Sequence, residues 1–303
     1  MPVMHLSGGD RVMHLLIYSF LVILAFVTLY PFWNSLVISL NSGTDTTLGG
    51  ITFWPRDFTL VNYQIVFKDE RLLQAFSVSV LRTVIGTIMA IFCTAIFAYA
   101  MSRRGVAGKK FYMVFCIITM YFSGGLIPFF LLCRALGMMN SFWVMIIPGL
   151  ISVWNMIIFR TFFMELPDGL EESAKIDGAN HFSIFFRIFL PLSGPVVATL
   201  SLFTAVGHWN DWFTATIFIN NPDLVPIQTL LNQILNSNIV SEQLAQAAGG
   251  NASALDAMDR LKTVTTKSLS SATMMVATLP IIMVYPFVQK YFVKGVLVGS
   301  LKG

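Results

Sequence analysis

The chain has 303 residues, of which 56% are apolar, 14% aromatic and only 11% charged, with a net charge of +4 and a mean hydropathy of +0.74. Soluble domains carry about 25% charged residues, so the composition excludes an ordinary soluble enzyme and points to an all-α, polytopic membrane protein. The excess of Lys and Arg would suggest nucleic acid in a soluble chain; here loop placement accounts for it, and no nucleic-acid role is expected.

Apolar windows of about 20 residues, each long enough to cross a hydrocarbon core of about 30 Å, recur at 12–38, 76–100, 111–133, 141–163, 191–219 and 270–293. The expectation is a single transmembrane domain, 1–303, with six spans. Arg11 precedes the first span as in a signal peptide. The run from Leu15 to Ile38 is nonetheless longer than an h-region of about 7–15 residues and lacks a small-x-small cleavage site, so it reads as a retained helix. Cys93, Cys116 and Cys133 fall in or beside spans without CxxC spacing and read as packing residues. His5, His14, His181 and His208 show no ligand spacing, so no metal site is expected.

Short loops set the orientation. SRRGVAGKK, between spans two and three, holds Arg103, Arg104, Lys109 and Lys110 and no acid, whereas the next loop, around 134–140, has a single Arg. The positive-inside rule places 102–110 in the cytoplasm. Alternation then puts both termini and 164–190 inside, and 39–75 and 220–269 outside; Lys290, Lys294 and Lys302 agree.

The first outer loop is punctuated by Gly43, Gly49, Gly50 and Pro55, with Trp54 and Phe58 as interfacial anchors. A connector resting on the membrane and a docking surface both fit it. In the second outer loop, PIQTLLNQILN (226–236) sets Ile227, Leu230, Leu231 and Ile234 on one face of an amphipathic helix. The alanine-rich stretch that follows is helical but for a break at Gly249 and Gly250, and the length of the loop admits a recognition role.

Between spans four and five lies the one long charged segment, 165–190. Asp168 as N-cap with Glu171 three positions on matches capping-box spacing, Glu171 and Lys175 form an i, i+4 pair, and Gly178 ends the helix. Asn180 caps a second helix in which Phe182, Phe185, Phe186 and Phe189 recur as an aromatic face, and Pro191 marks the turn into span five. The result is a compact knob, too short to be stable alone in water; an ordinary pair of helices resting on the membrane surface fits the same residues.

Polar residues inside spans form a second set. Tyr121, Ser123, Gly124 and Gly125 mark a helix interruption in span three, Asn155 lies in span four, and Trp209, Asn210, Asp211 and Trp212 follow His208 in span five. A charged group in the hydrocarbon is costly, so Asp211 should face protein or water. Hydrogen-bonding groups beside tryptophan faces suit a sugar path, and polar contacts between helices would use the same residues; both readings stand. Arg82 and Arg160, read as lying near span ends, would snorkel or pair with headgroups or acids.

The run Glu172 to Pro191, ESAKIDGANHFSIFFRIFLP, resembles the EAA motif of ABC-importer membrane subunits, with Ser173 where alanine is usual. FSGGLIP (122–128), RTFFMELPDGLEESAKIDGA (160–179), GHWNDWF (207–213) and the C-terminal run from 279 are similar to the MalG-like carbohydrate-uptake branch, of the LplC and YtcP type. The resemblance implies that Glu172, Ser173, Ala174, Asp177, Gly178, Ile188 and Pro191 form the ATPase-coupling element. It also implies a bacterial inner-membrane protein working with a second homologous permease, a homodimeric cytoplasmic ATPase that binds ATP and Mg, and an extracytoplasmic solute-binding protein. This chain would bind no cofactor of its own, in keeping with the lack of a GxxxxGK[ST] loop. The implied cargo is an oligosaccharide or polysaccharide fragment carried by alternating access. Membrane subunits of an alginate importer belong to the same branch, but nothing in the spans reads uronate over neutral sugar. An ion-coupled secondary transporter is the alternative, and it would have no need of the knob. A membrane enzyme would need convergent catalytic groups, of which only His208 and Asp211 are candidates.

Overall fold

A computed structural model of the chain describes residues 8–236, 265 and 267–283. In chain order the helices are α1 (Gly8–Ser39), α2 (Gly43–Thr47), α3 (Val61–Lys68), α4 (Glu70–Ser102), α5 (Lys109–Tyr121), α6 (Leu126–Ala135), α7 (Val153–Glu165), α8 (Asp168–Ile176), α9 (His181–Leu192), α10 (Gly194–Asn210), α11 (Phe213–Phe218), α12 (227–236) and α13 (Lys267–Met283). The only β pairing among the described residues is an isolated bridge, Asn41 to Phe58. The all-helical expectation holds for the described residues. Two compact units divide the chain: Met1–Asp69 with Ile234–Thr278, and Glu70–Gln233 with Leu279–Gly303.

In the first unit α1 is apolar all round, and its side chains from Leu15 to Leu29 are largely exposed, as expected of a helix that meets lipid or another chain. The loop after it is more than a connector, because two buried amides organise it. Asn41 accepts from the Asp57 amide at 2.9 Å and donates to Asp45 Oδ2 at 2.9 Å. Asn62 donates to the carbonyls of Ser39 and Asn41 and accepts from Ser268 Oγ at 3.0 Å. These bonds satisfy backbone groups that a buried loop would otherwise strand. Trp54 and Phe58 remain exposed.

In the second unit α4 is the central post, packed against α7 and α10. Ala95 and Ala98 of α4 give α7 close access, and Met156, Phe159 and Phe163 of α7 meet Phe185 and Phe189 of α9 and Leu200 of α10 in one core. A second core gathers Val78, Cys133, Val144, Met145 and Phe218. Cys116 and Cys133 are buried and Cys93 half-buried.

Among the described residues, two helices, α1 over Val12–Ser39 and α4, are by themselves long and apolar enough to cross a membrane, and three further stretches are so only as bent helix pairs. Span two begins earlier than expected, at Glu70. Span three is broken: α5 and α6 meet at 114° across Phe122–Gly125, where Gly125 takes φ +84°. Span four opens with two 3-10 turns, Phe142–Met145 and Ile147–Gly149, before α7, with a bend of 47°. The turn into span five comes two residues after Pro191, at Ser193, where the chain bends by 82°. Pro191, which has no N–H to give, falls in the last turn of α9, and the helix ends one residue later at Leu192. Span five stops at Asn210 and resumes at Phe213. Span six is described only to Met283; 284–303 and the alanine-rich outer segment lie outside the described residues.

Candidate functional site

The knob forms as two helices around a glycine turn, with three differences from expectation. Asp168 is the first residue of α8 rather than its N-cap; Pro167 holds that place and makes no side-chain bond. Asp168 and Glu171 instead lie in the first turn, where carboxylates meet the positive helix end. Gly178 (φ +79°) closes α8 by a Schellman pair, Ala179 N–H to the Ala174 carbonyl at 2.9 Å and Gly178 N–H to the Lys175 carbonyl at 3.0 Å. Asn180 caps α9 by accepting the Ser183 amide at 2.8 Å. The phenylalanine face is split, because Phe185–Phe189 is a π turn. Its extra residue aligns Phe185 and Phe189 toward the core and leaves Phe182 and Phe186 exposed.

The seven coupling residues do not share one environment. Glu172, Ser173, Asp177, Gly178 and Pro191 are exposed, while Ala174 and Ile188 pack partly against the core. Ile176, at 86% exposure, stands beside them as an apolar tip. The opposite face of α8 is tied down. Glu171 bonds Arg103 Nη1 and accepts from Lys175 Nζ at 2.8 Å. Burial pushes the Glu171 carboxyl up, but the hydrogen bonds from Lys175 and Arg103 outweigh it and hold the group below the usual range. Arg104 and Asp168 add an exposed pair at 2.7 Å. Lys109 Nζ donates to the carbonyls of Ser102 and Arg103 at 3.3 and 3.1 Å, and Arg160 Nε to that of Met101 at 3.1 Å, so cations cover the negative end of α4. Burial, then the Arg160 and Arg103 charges, lower the Lys109 pKa. A cleft of about 690 Å³ opens here, lined by Tyr99, Arg103, Lys109, Phe163, Glu171 and Phe185 among others.

The ion pairs put loop 102–110 and α8 on the same side of the helices, as span alternation requires. They were not read from the sequence, although two basic residues and two acids on loops assigned to one side were the signal for them.

A second site lies within the helices. Arg82 is not near a span end: it sits well inside α4, with its side chain 2% exposed, and bonds Asp211, which is 28% exposed. Arg82 Nη1 also donates to the Asp211 carbonyl at 2.7 Å, and Asp211 Oδ1 accepts from the Thr214 amide at 3.0 Å. The break at Asp211 and Trp212 is thus held on both sides. His208 crosses Gly86 so closely that a Cβ there would lie 2.7 Å from Nε2. Arg82, His208, Asp211 and Thr214 border a cavity of about 410 Å³ that Asn155 and Thr204 also line; Asn155 Nδ2 donates to Thr204 Oγ1 at 3.3 Å.

Of the proposed path residues, only Asn155 and Asp211 line this cavity. Tyr121, Ser123 and Gly124 lie exposed at the break between α5 and α6. Trp209 is buried, edge-on to Phe76 at 5.7 Å, so it serves packing rather than offering a sugar platform. Asn210 is exposed, and Trp212 is partly exposed against Phe213.

Residues 82–298 match the family described as binding-protein-dependent transport system inner membrane component. The chain is 40% identical over 97% of its length to the polygalacturonan/rhamnogalacturonan transport system permease protein YtcP of Bacillus subtilis (strain 168), covering 99% of that protein. It is 38% identical to Protein LplC of the same organism over 99% of this chain and 98% of that one. Among solved structures, a chain of a bacterial ABC transporter involved in the import of the acidic polysaccharide alginate superposes with a TM-score of 0.85 at 27% identity, over 96% of this chain and 100% of that one.

Proposed function

Because the chain belongs to the family of binding-protein-dependent transport system inner membrane components, we propose that it is the membrane-spanning subunit of an ATP-driven importer of oligosaccharides or polysaccharide fragments. Its partners in this reading are a second homologous permease, a homodimeric cytoplasmic ATPase, an extracytoplasmic solute-binding protein and the bacterial inner membrane, which it crosses six times with both termini inside. ATP and Mg belong to the ATPase. The family leaves no role for the ion-coupled alternative.

The observation that carries this reading is the two-faced build of α8. Glu172, Ser173, Ile176, Asp177 and Gly178 are exposed, while Glu171 and Lys175 are engaged on the opposite face. Small residues and a free apolar tip suit insertion into a partner's cleft, and the exposed carboxylates suit its basic or amide groups. Closure of the ATPase dimer would push on this face and rotate the spans, giving alternating access. Asn155, Asp211 and their cavity are proposed as part of the sugar path, with Tyr121, Ser123, Gly124, Asn210 and Trp212 flanking it. The polygalacturonan relative and the alginate importer support a cargo of the uronate class.

The test is ATP hydrolysis by the reconstituted complex with its binding protein, across a panel of neutral and uronate oligosaccharides. Stimulation by at least one sugar is expected. Hydrolysis indifferent to every sugar would refute the assignment.

A further inference from the structure

α8 has nine residues and none of them is buried; Ala174 packs only partly against the core, so apolar packing holds the helix weakly, and a helix this short has little stability alone. Beyond its two chain connections and that contact, ion pairs attach it. The Arg104–Asp168 pair is 90% and 59% exposed, and solvent screens it. The Arg103–Glu171 pair is 15% and 13% exposed and is part of a joint. Arg103 Nη2 donates to the Phe163 carbonyl at 3.3 Å and Nε to Ser102 Oγ at 2.9 Å. Its guanidinium lies 4.4 Å from the Phe189 ring and 5.1 Å from that of Tyr99, where cation–π attraction adds to the bond. One side chain therefore touches α4, α7, α8 and α9 where they converge.

We propose that Arg103 is the positioning residue that carries movement of α8 into α4 and α7, acting through Glu171. The inference rests on the reading of α8 as the contact with the ATPase. A push on the exposed face of α8 would otherwise swing the helix about Pro167 and Gly178 and leave the spans where they were. With Arg103 in place, the knob and the bases of α4, α7 and α9 move as one body. Planarity and several donors let one guanidinium hold the Glu171 carboxylate and the Phe163 carbonyl together, which a lysine ammonium cannot do in the same geometry. None of the exposed coupling residues makes such a tie.

The test uses proteoliposomes holding the full complex, with assembly, ATP hydrolysis and sugar uptake measured together. E171Q should assemble and hydrolyse ATP as the parent does, while uptake per ATP falls by about tenfold, within the range of ordinary coupling free energies. R104A should change neither. With Cys93, Cys116 and Cys133 replaced by alanine, the R103C/E171C pair should behave like E171Q until a short bis-maleimide joins the two cysteines, and should then regain coupling. Parent-like uptake per ATP in E171Q, or no recovery on cross-linking, overturns the proposal. So does an E171Q chain that fails to assemble, since the pair would then be a folding contact. If the parent complex itself shows no ATP-coupled uptake, it is the importer reading that fails.

Discussion

Glu171 shows how a single carboxylate reports on its surroundings. Its pKa in the folded chain lies below the ordinary value of 4.5, so its contribution to stability is complete above that value and is lost as pH falls through the lower, folded pKa. The melting-temperature gap between the parent and E171Q should thus be constant near neutral pH and close below about pH 4.5. A gap that widens with acid would contradict the assignment. Arg82 and Asp211 make the converse case. Removing one member of a buried pair strands the other charge and costs about 3–5 kcal/mol, so R82M or D211N alone should lower the melting temperature of the detergent-solubilised chain. The double variant should recover part of the loss, because no charge is then left alone. Asp211 was legible as a residue needing a partner; Arg82 was not legible as that partner, since the two stand far apart in sequence and meet only once α4 and α10 pack.

At the scale of elements, local chemistry was read well where it is encoded within a few residues. Gly178 as the end of α8, Asn180 as the cap of α9, the break at Gly124 and Gly125, and the helix over 227–236 all appear. The aromatic face of α9 was misread because periodicity assumes regular turns, and a π turn changes the phase. Asp168 was misplaced by one position because Pro167 already supplies a fixed φ at the helix entry. The Schellman closure yields a direct expectation. G178P cannot adopt positive φ and loses the N–H that closes the turn, so the chain should still insert and assemble while substrate-stimulated ATP hydrolysis and uptake become uncoupled. Undiminished stimulated hydrolysis and uptake in G178P would sink that expectation.

For the whole molecule, composition was enough to indicate a helical membrane protein, but straight windows of apolar residues misrepresent how the chain is built. Hydropathy averages over breaks, so spans four and five were read as single rods although they are interrupted or reshaped by 3-10 turns and by an aspartate, whereas the glycines of span three did signal its break. The proposed topology can be tested directly. Single cysteines in place of Arg104 and Glu172 should react with an impermeant maleimide only from the cytoplasmic face, and those in place of Thr44 and Asp223 only from outside. Labelling of Arg104 and Glu172 positions from opposite faces would contradict both the topology and the ion pairs. The π turn at Phe185–Phe189 reaches beyond its own length. Each residue of a helix advances its direction by about 100°, so one surplus residue re-aims the side chains that follow it as far as the bend at Ser193. Deleting a single residue there would rotate Phe189 and Leu190 off the core they share with Phe163, while the 82° bend leaves α10 its own phase.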